Sequence, residues 1–574
     1  MRNLKRALSL TLASVMLLGM MVVGAGAASY PDVDEKDNIE AIEVLQAVKV
    51  MVGDEKGNFG PDQPVNRAQM AVVMALLLDL DYDYYEGTNP FKDVPAWAAP
   101  YVAACYANGI VSGYDAYTYG SGDPVTAVQA ASMMMRALGY FKYPSDYSNN
   151  GGFELATVKQ ASKIELFRQI NANAKDPLTR NQVAQLALNA LKTPIVEADD
   201  KTISWVDGNG NVIASGGQVN YVVTASSQAY ARAIDDAESK GNALNGVSGY
   251  IIELGEKLYN GKLKLTDDID AFNRPARNWE FEGKTIGLYA KKELMEMENV
   301  GTVTGKDLYD LLGKTVINDY TIEVALDGVT DPAIVRAVRN YDTAGGKKNV
   351  DFVFNKDDIN RSNNGSLGDT GVGVLTQVFV DPDYENGGNK PNGRVWIAII
   401  NTYLARANQD YDSKREELAL NAYSVAKPSG EFVKDPKNGS AVQLVRLGVD
   451  EFPAVKDAKE NDPFLVTFAE GEVQSAVPAE VLSEVKVSSF KKSDNVVVDG
   501  TTYKFTTTAG FETGTLKTDY TGDDLINLKD RVYNIFLDAY DNLIGVQLVD
   551  EVKNYVFISA LDLNDSNLVN GTAN

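Results

Sequence analysis

Histidine is absent from all 574 residues, and cysteine occurs once, at Cys105. Without histidine, Ser-His-Asp and Cys-His catalysis are excluded, as is every zinc or iron site that needs an imidazole. A single cysteine permits no disulfide within the chain. Cations are the minority: 54 Lys and Arg stand against 79 Asp and Glu, a formal charge of -25. A field of that sign repels phosphate backbones and anionic lipid, which disfavours nucleic acid and the membrane surface as partners. Long apolar runs are also missing after the first two dozen residues. Nothing there reaches the roughly 20 apolar residues that a spanning helix needs.

The start of the chain is different. Arg2, Lys5 and Arg6 precede an apolar stretch from Ala7 to Val23, and Ala25-Gly26-Ala27 follows. This is the layout of a secretory signal peptide over 1–27, cut before Ala28. Its loss leaves the mature chain more negative still, with no membrane span. The hydrophobic fraction of 44% and charged fraction of 23% are those of folded protein, and the length demands several domains.

A period then appears around prolines. Pro64-Val65-Asn66-Arg67-Ala68-Gln69, Pro124-Val125-Thr126-Ala127-Val128-Gln129 and Pro177-Leu178-Thr179-Arg180-Asn181-Gln182 each open an apolar run. Asn66, Thr126 and Thr179 are predicted N-caps, and the glutamine three residues on closes a capping box. The runs Met70 to Leu78, Ala130 to Leu138 and Val183 to Leu191 should be helices facing a common core. In the first two units Gly53 and Gly113 precede Arg67 and Ala127 by the same interval. Phe59-Gly60 and Tyr119-Gly120 are equivalent, and a second helix lies upstream: Ile39 to Val50, and Ala98 to Asn108. Ahead of these stand Asp32-Val33 and Phe91-Lys92-Asp93-Val94 with Trp97.

Phe91-x-Asp93-Val94, Trp97, Gly109-Ile110-x-x-Gly113 and the proline-led box resemble the S-layer homology module, the three-repeat wall-anchoring unit of bacterial surface proteins. The resemblance covers about a third of the chain, 28–194, with repeats near 30–82, 90–140 and 150–193. It implies an all-α three-repeat spindle whose grooves bind secondary cell-wall polysaccharide, often through a pyruvylated sugar. Arg67 and Arg180 follow the N-cap, where free backbone N–H groups and a guanidinium suit a carboxylate. Asp32 and Asp93 could accept from sugar hydroxyls or serve as turn caps. Trp97 reads as a core aromatic or as an apolar face for a pyranose. The sequence departs from the family's Thr-Arg-Ala-Glu box in carrying Gln for Glu throughout. Ala127 replaces the arginine of repeat 2, whose groove should bind an acidic sugar poorly. Repeat 3 lacks the Asp-Val entry and the Gly-Ile-x-x-Gly loop. A disulfide-free secreted chain of this kind also points to a Gram-positive exporter, and Cys105 reads as a buried small hydrophobe.

After Pro194 short runs rich in Val, Ile, Thr and Tyr predict β-rich modules, immunoglobulin-like or small-barrel, over 195–310, 311–430 and 431–574. Hairpins are expected at Ile203 to Ala214 and Arg531 to Leu548. Further strands are expected at Tyr320 to Leu326, Val350 to Phe354, Val374 to Val380, Val395 to Tyr403 and Asn554 to Ala560. Helices are predicted at Gln228 to Ser239 and Glu480 to Val485. Asp270 to Pro275 with Trp279, and Tyr309 to Gly313, resemble segments of clostridial surface proteins bearing the same anchor. The polar end, Asp562 to Asn574, fits either a frayed terminus or a chain cut from a longer one. No metal or cofactor is assigned. Asp79-x-Asp81-x-Asp83 reads as solvated acids, Asp381-x-Asp383-x-Glu385 is compatible with structural calcium, and Gly368 to Gly373 lacks the context of a nucleotide loop. The expected function is an S-layer or S-layer-like structural protein that self-assembles at the cell surface and is not an enzyme. The alternatives are a wall-anchored adhesin and a wall-anchored hydrolase.

Overall fold

The computed structural model describes residues 30–33, 36–199, 205–206, 212–214, 219–234, 241–242, 248–330, 356–367, 370–384, 393–423, 442–469, 472–491, 494–511, 514–515 and 532–549. The signal peptide, the tip of the hairpin at 207–211, the strand expected at Val350 to Phe354, Glu385 and everything after 549 lie outside them. Two compact units are present. The first comprises Met1–Met297, Tyr320–Gly328 and Val378–Ala398, and the second Glu298–Asp319, Val329–Gln377 and Ile399–Asn574.

In the first unit six helices form three helix–loop–helix repeats: α1 Ile39–Ala47 and α2 Arg67–Leu77, α3 Ala99–Ala107 and α4 Ala127–Ala137, α5 Phe153–Lys163 and α6 Arg180–Leu191. Each second helix starts as its sequence dictates. Asn66, Thr126 and Thr179 accept from the backbone of Gln69, Gln129 and Gln182, whose side chains accept from the cap's own amide. Each first helix stops in the same way, with Lys49, Gly109 and Glu165 at positive φ. The next amide in each case closes a six-residue ring: Val50 to Leu45, Ile110 to Cys105 and Leu166 to Ala161, all at 2.9 Å. Repeat 3 therefore makes the turn that its sequence conceals. Two non-glycine residues, Glu165 and Gln169, take the left-handed conformation there.

The repeats are tied at their centre by backbone. Val65 N–H donates to Leu178 O (2.9 Å), Leu178 N–H to Val125 O (3.0 Å) and Val125 N–H to Val65 O (2.8 Å), a closed triangle with one edge per repeat. Bridges of β type flank it at Pro64–Thr179, Asn66–Pro124 and Thr126–Pro177. The proline ahead of each cap restricts the residue before it to extended backbone, and the carbonyls of those residues, Gln63, Asp123 and Asp176, accept from the Arg180, Arg67 and Ala127 amides of the neighbouring repeat.

The expectation of an all-α N-terminal spindle is overturned. Besides the triangle, β1 (Val196–Ala198) pairs antiparallel with β2 (Tyr221–Val223), and Val196 N–H donates to Leu138 O at 2.8 Å. More decisively, a three-stranded antiparallel sheet shares the helical core. Its strands are β3 (Leu263–Ile269), β4 (Pro275–Phe281) and β5 (Lys284–Ala290), with β4 in the middle. Leu263, Leu265, Trp279 and Ile286 are buried in one cluster with Ile42, Met74 and Leu186. The sheet covers α1 through charge as well as apolar area. Arg277 grips Glu40 bidentately (Nε–Oε1 2.9 Å, Nη2–Oε2 2.7 Å) and Trp279 Nε1 donates to Glu40 Oε1 at 2.7 Å. The other Arg277 terminal nitrogen pairs with Glu293, and Tyr289 donates to Glu43. A helix whose glutamates look solvent-facing in sequence is in fact covered on that side by a sheet more than two hundred residues away.

The β-rich expectation for the rest of the chain holds. In the second unit, Glu417–Tyr423 pairs with Val442–Gly448, and Pro463–Ala469 with Glu472–Pro478, all antiparallel. A seven-stranded sheet runs in the order Glu480–Lys486, Val532–Leu537, Leu543–Leu548, Thr501–Phe511, Asn495–Val498, Ser489–Lys491, with Gly514–Thr515 on a side branch. The hairpin predicted at Arg531 to Leu548 supplies two adjacent strands of it, Val532–Leu537 and Leu543–Leu548. The helix predicted at Glu480 to Val485 is instead the strand Glu480–Lys486, because pairing with Val532–Leu537 outweighs its local helix preference. The helix expected from Gln228 is a 3-10 turn, Ala229–Arg232, and its continuation past Ile234 is outside the described residues. Strands Thr321–Leu326, Val374–Asp381 and Arg394–Ala407 fall where predicted. Among the described residues no helix is long and apolar enough to cross a membrane.

Candidate functional site

Four of the five residues singled out by sequence converge on two loops: Asp93 with Arg67, and Asp32 with Arg180. In repeat 2, Asp93 sits beneath the loop that precedes the capping box. Its carboxylate accepts from the amides of Tyr119 (2.7 Å), Gly120 (2.7 Å) and Ser121 (3.1 Å). Burial alone would raise its pKa, but the amides of Tyr119, Ser121 and Gly120 outweigh that and hold the carboxyl below its usual range. From the other side comes Arg67, carried by α2 of repeat 1. It is 4% exposed, its Nε donates to Tyr119 O (3.0 Å) and its Nη2 to Ser112 O (2.9 Å). The guanidinium lies 4.7 Å from the Tyr114 ring and 4.6 Å from the Tyr119 ring. Gly113 is required here, since a Cβ would stand 2.4 Å from the Phe91 ring and 2.7 Å from two carbonyls.

Repeat 1 has the same construction. Asp32 accepts from Phe59 (2.8 Å) and Gly60 (2.7 Å) amides, and the arginine comes from repeat 3. Arg180 donates from Nε to Phe59 O (2.7 Å) and from Nη2 to Val52 O (2.9 Å), with Phe59 at 4.7 Å beneath it. Burial lowers its pKa, against the pull of Tyr30, Asp32 and Asp54, yet a guanidinium stays charged. Unlike Arg67 it remains partly open to solvent.

Two sequence expectations change. The helix N-termini are not free for an anion. Arg67 and Ala68 amides donate to Asp123 O and Ser121 O, and Arg180 and Asn181 amides to Gln63 O and Pro61 O. Each arginine also serves the loop of the next repeat rather than its own. Ala127 therefore faces repeat 3, where its amide donates to Asp176 O at 3.0 Å. In that third loop everything is missing together: no arginine at Ala127, Ala172 where Phe59 and Tyr119 stand, and no aspartate beneath. Asn189 takes over instead, donating to Leu166 O (3.0 Å) and Arg168 O (2.8 Å) and held by Gln185 at 2.9 Å.

Trp97 is not a core residue. It is 55% exposed, as are Tyr114 at 55% and Tyr117 at 63%. These tyrosines, and the platforms Phe59 and Tyr119, carry the site without having been assigned a part in it. The alignment of Phe59-Gly60 with Tyr119-Gly120 was the available signal, and an arginine-stacking role needs the cross-repeat contact. Cys105 is buried as expected, with its thiol pushed up to about 12 by desolvation. Among the described residues no group of three or more Cys, Asp or Glu could hold a metal ion.

The S-layer homology domain family matches residues 29–71 and 90–126, the two repeats whose loops are fully built. This part of the chain is an S-layer homology module. The chain is 28% identical over 210 residues to a cell surface protein of Thermoanaerobacter kivui, covering 35% of this chain and 26% of that one. It is 26% identical over 200 residues to the surface-layer 125 kDa protein of Lysinibacillus sphaericus (30% and 16% covered). It is 29% identical over 185 residues to an endoglucanase of a Bacillus species (29% and 19% covered). The match thus spans about a quarter or less of these relatives' length.

Proposed function

We propose that the protein is an S-layer or S-layer-like structural protein of the bacterial cell surface, held non-covalently to secondary cell-wall polysaccharide by its repeat module. The observation that carries this reading is the loop built twice, with aspartate beneath and arginine from the adjoining repeat above, inside an S-layer homology module. Asp32, Asp93, Arg67 and Arg180 hold the two loops in shape. Arg180 also offers charge to an acidic sugar such as a pyruvyl ketal, and Trp97 an apolar face to a pyranose. The β-rich remainder provides the surface for self-association, and no enzymatic role is assigned to it. The endoglucanase relative matches over less than a third of this chain, so its chemistry is not carried over.

Sedimentation with purified wall sacculi tests the anchor. The mature chain is expected to pellet with intact sacculi and to stay in solution once acid extraction has stripped their polysaccharide. Equal pelleting before and after stripping would overturn the reading. Trp97→Ala together with Arg180→Gln is expected to weaken pelleting at least about tenfold, the loss of roughly 1.4 kcal/mol.

A further inference from the structure

We infer that the two built loops read different chemistry, the Arg67 loop the apolar faces of a neutral pyranose and the Arg180 loop the charge of an acidic sugar. The inference rests on the wall-anchoring reading above. Superposing the repeats by sequence spacing makes the divergence plain. Tyr106, Tyr114 and Tyr117 of repeat 2 correspond to Gln46, Asp54 and Gly57 of repeat 1, and by the same spacing Trp97 corresponds to Asp37. Around the Arg67 loop Phe91, Tyr106 and Tyr119 are in ring contact, while Tyr114 and Tyr117 are joined to the loop through Arg67 and Lys92. Phe91 meets Tyr106 edge-on at 5.2 Å and Tyr119 at 5.4 Å, and the Lys92 ammonium lies 4.5 Å from the Tyr117 ring. Tyr106, Tyr114 and Tyr117 are 49%, 55% and 63% exposed, while the arginine beneath is sealed. A guanidinium covered by two rings and spent on two carbonyls has little left for an anion. Its effect is to hold the tyrosines outward. Such a surface gains from the C–H faces of a sugar whatever the sugar's charge.

The Arg180 loop is the converse. It has the Phe59 ring under the guanidinium with Tyr30 packed on that ring at 5.5 Å, an outer edge open to water, and Gln46, Asp54 and Gly57 where repeat 2 carries its exposed tyrosines. The carboxylates beside it are already engaged. Asp32 is held by Phe59 and Gly60 amides, and Asp54 by those of Lys56 and Asn58, at 2.9 Å each. What remains to distinguish ligands there is the charge of Arg180. That interaction should weaken with salt, whereas ring stacking should not.

The sequence offers one reporter per loop, because Phe59-Gly60 and Tyr119-Gly120 are its only Phe-Gly and Tyr-Gly pairs. Labelling phenylalanine or tyrosine carbonyls with 13C and glycine with 15N gives one amide signal for each loop in the full mature chain. The probes are a pyruvyl-ketal glycoside and the matching ethylidene-ketal glycoside, which lacks only the carboxylate. The neutral ketal is expected to move the Gly120 signal and leave Gly60 in place. The acidic ketal should move both, with the Gly60 response alone falling as salt is raised. Tyr117→Ala should weaken the Gly120 response at least about fivefold, roughly 1 kcal/mol, without touching Gly60. The same acid-to-neutral preference at both loops, or a Gly120 response unchanged by Tyr117→Ala, overturns the divergence and leaves the anchor standing. If neither ketal moves either signal, divergence and anchor site fall together.

Discussion

Arg277→Ala is expected to cost the first unit about 3–5 kcal/mol, the range for breaking a buried, hydrogen-bonded ion pair. Arg277 is 5% exposed and joins three elements: Glu40 on α1, Glu293 beyond β5, and its own strand β4. Removing it strands the Glu40 carboxylate against Trp279, whose indole N–H alone cannot balance a charge in that setting. Burial pushes the Glu40 pKa up, and Arg277 foremost, with Lys192 and Trp279, more than reverses it, so the carboxyl titrates below its usual value. Without the guanidinium the group must take up a proton or remain a buried anion, and both cost stability. Lys264→Ala is the control. Its ion pair with Glu280 also lies on the sheet, but with 49% and 34% of the side chains exposed it should be worth at most about 1 kcal/mol. Urea titration followed by tryptophan fluorescence measures both, since Trp279 sits in the seam. A loss below about 1 kcal/mol for Arg277→Ala would mean that the sheet does not depend on this clamp. Replacing Glu40 and Arg277 together by apolar residues should cost less than Arg277→Ala alone, because no charge is then left behind.

The clamp also marks where the sequence was legible and where it was not. The second helix of each repeat was legible to its first residue, because a cap and its glutamine act within one turn and need no distant partner. The repeats' association was half legible. The proline-led boxes announce three equivalent strand-to-helix corners, but the triangle through Val65, Leu178 and Val125 appears only when all three meet. Arg67 and Arg180 were found by position, yet their partners were not, because each crosses to the next repeat. The turn of repeat 3 was hidden because Glu165 and Gln169 adopt a conformation whose usual signature is glycine. The sheet over α1 was invisible for a different reason. Glu40 and Glu43 read as the polar side of an amphipathic helix, and only a partner supplying Arg277, Trp279 and Tyr289 makes that side interior. The all-α expectation came from the family resemblance, and nothing in the pattern of α1 spoke against it. Periodicity reports how a helix is patterned and not what later covers it.

Glu43 gives that covered face a pH dependence of its own. Desolvation lifts its carboxyl to about 7, only partly offset by the hydrogen bond from Tyr289. The folded state therefore favours the protonated acid more than the unfolded chain does. Its stabilisation is fully present below the unfolded value near 4.5, declines as pH rises, and is lost once pH passes about 7. The shift amounts to about 3 kcal/mol between the two limits. Glu40 works in the other direction and in another window. Its depressed pKa protects the fold above the usual carboxylate range and fails as pH falls through it. Wild-type stability in urea, read at Trp279, should thus fall between pH 5 and pH 7.5 relative to Glu43→Gln, which keeps a hydrogen-bonding side chain and cannot ionise. The two curves should converge near pH 4.5 and differ most above about 7. Curves that stay parallel across this range would mean that Glu43 is solvated in the folded protein and that the sheet does not seal α1. If they diverge as expected, the repeat module and the sheet behind it form one folding unit, and the boundary of the wall-binding part lies beyond β5 rather than at the end of α6.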